Sequence, residues 1–274
     1  MNNLYQIYLI SDSTGETLDR IFLALKAQFK NFSYETNHFS FTRTENQVQK
    51  ILEKSKKQKK TIILYTIVNN SLSKFLADEA KKNNIPCFGV LGDLIISFSK
   101  LLDQEASFKP SGQHILDEEY YKRIEAIQFT MNHDDGNLSN DINKSDIILL
   151  GVSRTSKTPT SIYLANKGFK VSNIPLVNKD SIPNILKDSN NQKCIIGLTA
   201  DPERLVEIRK NRMNSLKENS STSYINLDKI SKEVNDAKKT FQKYKWPVID
   251  VSRKSVEETA ASVIKIYEIN KKNA

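Results

Sequence analysis

Ile147-Ile148-Leu149-Leu150-Gly151-Val152-Ser153-Arg154-Thr155-Ser156-Lys157-Thr158-Pro159 is the stretch of this 274-residue chain from which the rest is read. Its four leading apolar residues predict a strand covered on both faces, the kind found in a parallel sheet packed between helices. Gly151 follows directly, and the segment it opens runs into a predicted helix whose first turn takes Pro159, where a missing N–H costs little. The spacing is that of a phosphate loop, G-x4-G-K-[ST], with Ser156 in place of the second Gly. Each residue type answers a physical demand. Phosphate needs a tight turn with inward N–H groups, a helix N-terminus that favours anions, a Lys that reaches the terminal phosphates and a hydroxyl for Mg²⁺. Lys157 and Thr158 fit the last two roles, with Gly151, Val152, Ser153, Arg154, Thr155 and Ser156 forming the cradle. Ser156 weakens the match, because a side chain stands where backbone approaches phosphate; the competing reading is a Ser/Thr-rich turn without a ligand.

Outward from this stretch, short apolar runs alternate with helical-period segments, the pattern of an α/β protein with parallel sheets. In the first half, Tyr5 to Ile10, Thr61 to Val68 and Ile85 to Leu91 read as strands, and Glu16 to Phe29 and Leu72 to Lys82 as helices. A helix over Asp117 to Met131 leads into the polar, turn-rich stretch Asn132 to Asp141, which marks a domain boundary. Strands at Asp146 to Leu150, Val171 to Val177, Cys194 to Leu198 and Pro247 to Val251 then alternate with helices at Pro159 to Lys167, Glu203 to Leu216, Leu227 to Lys243 and Val256 to Ile269. The expectation is an N-terminal α/β domain with its linker over residues 1–143 and a P-loop kinase-like α/β domain over 144–274.

Composition narrows the function. The net charge is +9, yet only eight of the 41 cations are Arg, and the run Lys54 to Lys60 has no interleaved aromatics for base stacking. Such a run reads as the solvated end of a helix, and no nucleic-acid partner is expected. No apolar stretch approaches the roughly 18 to 20 residues of a membrane span, and the N-terminus has no export signal, so a cytoplasmic protein is expected. Cys87 and Cys194 lie in predicted strands and read as small buried hydrophobes. His38, His114 and His133 are widely separated, which argues against catalytic zinc.

Ser11-Asp12-Ser13-Thr14-Gly15 follows the first strand and opens a helix. It reads either as a second anion site at the carboxyl edge of the sheet or as a capping box with Ser13 or Thr14 as N-cap. In His133-Asp134-Asp135-Gly136 the acids offer a general base or a Mg²⁺ ligand, against a solvated acidic turn. Arg204, Arg209 and Arg212 share a predicted helix, and Arg209 with Arg212 could clamp a transferring phosphate, against the reading that an ordinary surface helix carries such residues too. No strand carries a clean Walker B acid; Asp201 and Asp250 are the weak candidates.

Taken together these motifs resemble a known family, the bacterial regulatory proteins of pyruvate, phosphate dikinase and of phosphoenolpyruvate synthase. The resemblance rests on Ser11 to Thr17, His114-Ile115-Leu116-Asp117 with Tyr120 and Arg123-Ile124-Glu125-Ala126, His133 to Gly136, Gly151 to Pro159, Tyr163-Leu164-Ala165, Asn173 to Val177, Gly197-Leu198-Thr199 and Trp246 to Val251, in that order. Ser156 belongs to the family pattern, whereas Ser172 and Asn178 depart from it. The resemblance implies transfer of the β-phosphate of ADP to an active-site Thr of the target enzyme, with release of AMP. It also implies the reverse, phosphorolysis by inorganic phosphate that yields pyrophosphate. By motif position Gly151 to Thr158 would be the ADP site, with Lys157 and Arg154 neutralising charge and Mg²⁺ on Thr158. Asp134, Asp135 or Asp12 would supply the base. The dikinase is the expected target and the synthase its alternative; a non-catalytic nucleotide sensor and a small-molecule P-loop kinase are the further alternatives. The resemblance leaves the oligomeric state open.

Overall fold

The computed structural model describes residues 4–58, 60–112, 116–135, 141–176, 182–187, 193–216 and 224–273. His114, Ile115, Gly136, Val177 and Asn178 of the sequence reading lie outside these residues. The chain divides into two compact α/β units, Met1–Ile115 and Leu116–Ala274.

The first unit alternates β1 (Tyr5–Ile10), α1 (Glu16–Lys26), β2 (Tyr34–Phe39), α2 (Glu45–Lys56), β3 (Thr61–Tyr65), α3 (Asn70–Lys82), β4 (Cys87–Gly89) and α4 (Gly92–Leu102). All strand pairs are parallel, in the order β2-β1-β3-β4. Side chains of β1 alternate between the two faces. Tyr8 and Ile10 pack with Val48, Ile51 and Leu52 of α2 and Leu72 and Leu76 of α3, while Ile7 and Leu9 pack with Leu18 and Phe22 of α1. This two-sided burial is what the apolar run of β1 records.

The second unit comprises α5 (Glu118–Asn132), β5 (Ile147–Gly151), α6 (Lys157–Ala165), β6 (Val171–Pro175), β7 (Cys194–Thr199), α7 (Pro202–Leu216), α8 (Leu227–Lys243), β8 (Val248–Asp250) and α9 (Val256–Asn273). Its sheet is also parallel, in the order β6-β5-β7-β8, and Ile147 to Leu150 are fully buried. Helix α5 belongs to this unit, so the division falls ahead of the polar stretch on which the sequence places it. The reason is local: Thr130 Oγ1 accepts the Val171 N–H at 3.0 Å, and the His133 carbonyl accepts the Asn173 N–H at 3.0 Å, tying the end of α5 to β6.

Both sheets have the same order relative to the chain. Each run of crossovers leaves the first strand on one side and returns past it to the other. The switch points therefore lie between β1 and β3 and between β5 and β7, and ligands of open α/β sheets bind at the carboxyl ends of such strands. The two hydroxyl-rich segments of the sequence follow β1 and β5, one at each switch point. Among the described residues no helix is long and apolar enough to cross a membrane.

Candidate functional site

The segment after β5 closes tightly on the sheet. A Cβ on Gly151 would lie 2.6 Å from the Leu198 carbonyl oxygen and 2.7 Å from Thr155 Oγ1, so only glycine lets the chain leave β5 here. Thr155 is fully buried and donates to the Val152 carbonyl at 2.9 Å. Arg154 (φ 72°) and Ser156 (φ 57°) are both left-handed. Alternation of left- and right-handed residues turns successive N–H groups toward one concave side, a geometry suited to oxyanions. Ser156 is the N-cap of α6 without a side-chain cap bond, which leaves the first N–H groups of that helix to other partners.

Lys157 turns back over the loop and donates from Nζ to the Val152 carbonyl at 3.0 Å. Burial lowers its pKa to about 8; Asp135 and Asp134 oppose the shift, and Arg154 and Arg209 add to it. Thr158 Oγ1 donates to Asp134 Oδ1 at 3.0 Å, and the Asn173 amide donates both to the same oxygen and to Thr158 Oγ1, the latter at 3.0 Å. Lys157, Thr158 and Asp134 line one cleft of about 660 Å³ with Asp135, Ser153 and Arg154. The structure thus brings Asp134 and Asp135 together with Ser153, Arg154, Ser156, Lys157 and Thr158 of the loop.

Asp134 is the acid that meets the loop. It reaches Thr158 from the end of α5, outside the sheet, whereas the two candidates on strand ends are otherwise engaged. Asp201 Oδ1 caps α7 through the N–H groups of Glu203 (2.9 Å) and Arg204 (3.2 Å). Asp250 Oδ1 accepts from Ser252 Oγ (2.5 Å) and N–H (2.9 Å), hydrogen bonds that hold its pKa below the usual carboxylate range.

The Arg209–Arg212 clamp is not formed. Arg209 is buried, with Nη2 on Glu233 Oε2 at 2.7 Å and on the Ser153 carbonyl at 3.3 Å, its guanidinium 4.8 Å from the Tyr224 ring centroid. Arg212 is exposed, and the exposed Arg204 pairs with Glu207 at 2.9 Å. The cause is position on α7: Arg209 lies on the buried face with Leu205, one turn earlier. Its work is to hold the loop. Tyr224, which the sequence gave no reason to choose, completes that buttress: its hydroxyl lies 3.3 Å from both Ser153 Oγ and Arg154 Nε. Burial raises the Tyr224 pKa, but the hydrogen bonds with Ser153 and Arg154 and the two guanidinium charges outweigh it, and the net shift is downward.

In the first unit the capping-box reading is overturned. Gly15 is the N-cap of α1, at φ 93° and without a side-chain cap bond. The serines turn elsewhere: Ser11 Oγ accepts from Thr66 Oγ1 (3.0 Å) and from the Ser13 N–H (3.1 Å), and Ser13 Oγ accepts from Ser111 Oγ (3.0 Å). Asp12 is buried, accepts the Val68 N–H at 2.8 Å and has its pKa raised by that burial. Ser11, Asp12, Ser13 and Gly15 line a cleft of about 200 Å³ with Thr66 and Lys109, while Ser40 Oγ donates to the Thr14 carbonyl at 2.7 Å.

Cys87 and Cys194 are free thiols whose burial raises their pKa to about 12 and about 11, so neither is a nucleophile at neutral pH. Among the described residues no group of three or more His, Cys, Asp or Glu could hold a metal by itself.

The family model described as kinase/pyrophosphorylase matches residues 7–264. The chain belongs to the kinase/pyrophosphorylase family. A family member from Pelagibacter ubique (strain HTCC1062) is 69% identical over 273 residues, covering 100% of both chains. Members from Erythrobacter litoralis (strain HTCC2594) and Rhizorhabdus wittichii (strain DSM 6014) are each 43% identical, over 95% and 98% of this chain and 93% and 96% of theirs. All three are named pyruvate, phosphate dikinase regulatory proteins. Membership in the kinase/pyrophosphorylase family makes the chain a phosphotransfer enzyme.

Proposed function

We propose that the chain regulates pyruvate, phosphate dikinase by phosphorylating an active-site Thr from ADP, which inactivates the target, and by removing that phosphate with inorganic phosphate, which reactivates it. The observation that carries the reading is the convergence of Lys157, Thr158, Asp134 and Asp135 on one cleft at the switch point of the second sheet. The names of the relatives support the choice of target.

Residues 151 to 158 act as a P-loop. Their N–H groups and Lys157 hold the diphosphate, and Arg154 adds charge from the rim. The protein's contribution to phosphoryl transfer is positioning and charge neutralisation. The residues fit a divalent cation: Thr158 offers a hydroxyl and Asp134 a carboxylate 3.0 Å apart, beside the side-chain Oδ1 of Asn173, which is buried and has no hydrogen-bond partner among the described residues. Bound there, Mg²⁺ would neutralise charge on the diphosphate.

Asp134 is committed to Thr158 and Asn173, whereas Asp135 accepts no hydrogen bond among the described residues and lines the same cleft. Asp135 is therefore the base. In the forward direction the target Thr oxygen bonds to the β-phosphorus of ADP, the bond from that phosphorus to the bridging oxygen breaks, AMP leaves, and Asp135 takes the hydroxyl proton. In reverse, an oxygen of inorganic phosphate bonds to the phosphorus of phosphothreonine, the bond to the Thr oxygen breaks, and Asp135 returns the proton to Thr as pyrophosphate leaves.

The test is transfer from β-labelled ADP to purified dikinase and, in parallel, to phosphoenolpyruvate synthase, with Lys157→Ala and Asp135→Asn as controls. Label on the dikinase, lost in both variants, is expected. Label on the synthase alone reassigns the target. Label on neither, with ADP still bound, leaves a nucleotide sensor in place of a transferase.

A further inference from the structure

We infer that Asn173 is the positioning residue of the cation-binding pair Asp134–Thr158, an inference that rests on the proposed use of that pair for Mg²⁺. Asn173 lies on β6 and is 1% exposed, so its amide is fixed by the sheet rather than by solvent. It holds Asp134 at two points. Its backbone N–H donates to the carbonyl of the preceding residue, His133, at 3.0 Å, and its side-chain Nδ2 donates to Asp134 Oδ1. The same Nδ2 donates to Thr158 Oγ1 at 3.0 Å, closing a three-membered ring of hydroxyl, carboxylate and amide.

The chemistry fixes the roles. An ionised carboxylate only accepts, so the NH₂ end of the amide must face Asp134. Thr158 then has one way to satisfy both neighbours: its proton goes to Asp134, and its lone pairs face the amide and whatever cation enters the cleft. That is the orientation a hydroxyl ligand needs. Asp134 comes from the end of a helix and not from a strand of the sheet, so unlike an acid rooted in a strand it depends on a tether to reach the loop. Asn173 is that tether. Outer-shell partners of this kind typically govern metal affinity by roughly 10- to 100-fold.

A purely structural Asn173 would change folding and leave metal binding alone, so the readout is metal binding itself. The full-length protein is titrated with Mn²⁺ in saturating ADP and free Mn²⁺ is followed by its electron paramagnetic resonance signal. ADP affinity is measured separately in EDTA. Asn173→Ala is expected to weaken Mn²⁺ binding roughly 10-fold or more, within that outer-shell range, with metal-free ADP affinity and the cooperative melt retained. Asn173→Leu, which fills a similar volume without a donor, gives the same readout if the smaller side chain compromises folding. Thr158→Ala and Asp134→Asn are the controls. Mn²⁺ affinity unchanged in Asn173→Ala or Asn173→Leu but lost in both controls would overturn the tether while leaving the cation pair standing. Mn²⁺ affinity unchanged in all of them would overturn the pair, and the inference with it.

Discussion

Lys157 is the residue at which burial and function pull in opposite directions. Its amine is buried over the loop with a pKa lowered to about 8 from 10.5. Below about pH 8 both folded and unfolded chains carry the proton, and the folded state bears the whole penalty of a buried charge. Between about pH 8 and 10.5 the unfolded chain still binds a proton that the folded chain has released, so stability rises with pH through that window, by an amount on the order of 3 kcal/mol. Urea unfolding at pH 7 and at pH 10 should show this rise in the native protein and lose it in Lys157→Met, which should also be the more stable at pH 7. A diphosphate in the cleft reverses the balance, because it favours the charged amine. ADP binding near pH 9 should therefore take up a proton, measurable by calorimetry in buffers of different ionisation enthalpy. Lys157→Met should abolish the uptake.

Ser156 makes a related point about legibility. Its place in the loop was readable from spacing, and its left-handed backbone explains why a glycine commonly stands there. Ser156→Gly should fold and bind ADP without loss, and differ from the native protein in stability by no more than about 1 kcal/mol. Asp134 was readable only as one of several acids, since nothing in its local sequence reveals that α5 ends over β6. For Arg209 the spacing left a phosphate clamp and a surface helix both open, because helical spacing shows which residues share a face, not whether that face is buried. Tyr224 carried no signal at all, and Asn173 stood out only as the first residue of the motif Asn173 to Val177; each acquires its role from a neighbour some 70 or 15 positions away.

At the scale of elements, every strand but β2 was legible. β1 and β5 are buried on both faces and announce themselves. β2, Tyr34-Glu35-Thr36-Asn37-His38-Phe39, is an edge strand with no buried residue, and its polar side chains give no run to detect. α2 was recognised only by its Lys-rich end. Its start is nonetheless written in the sequence as a capping box, with Thr44 accepting the Gln47 N–H at 3.3 Å and the Gln47 side chain returning to the Thr44 N–H. Thr44→Ala should lower the stability of the first unit by about 1 kcal/mol in chemical denaturation. α8 is located where β7 allows a close approach: a Cβ on Gly197 would lie 2.6 Å from the buried Phe241 ring. Gly197→Ala should therefore destabilise the second unit strongly, by about 1 to 3 kcal/mol as overpacked cores do, and Phe241→Ala by about 3 to 5 kcal/mol through the cavity it leaves.

For the whole molecule the α/β class was legible from rhythm alone, while the common strand order of the two sheets was not. Order depends on which strands pair, and apolar runs are silent on pairing. The consequence of that order is functional. It puts the Ser11–Gly15 segment, with its buried Asp12, at the same station of its sheet as the proposed phosphate loop occupies in the other. Each unit also closes its own core, Tyr8 to Ala80 on one side and Ile142 to Val263 on the other. Chemical denaturation followed separately by a first-unit probe and by ADP protection of the second should give two midpoints, with ADP moving only one.

That separation of cores has a bearing on heredity. In a chain with one core, any substitution that breaks packing abolishes everything at once, and the resulting defects cannot be told apart. Here a lesion such as Leu76→Ala falls wholly on the first unit and one such as Phe241→Ala on the second. A random-mutagenesis screen scored both for nucleotide binding and for control of the target should therefore yield two phenotypic classes rather than a single class of nulls: first-unit lesions that keep ADP binding at the proposed loop, and second-unit lesions that have lost both activities.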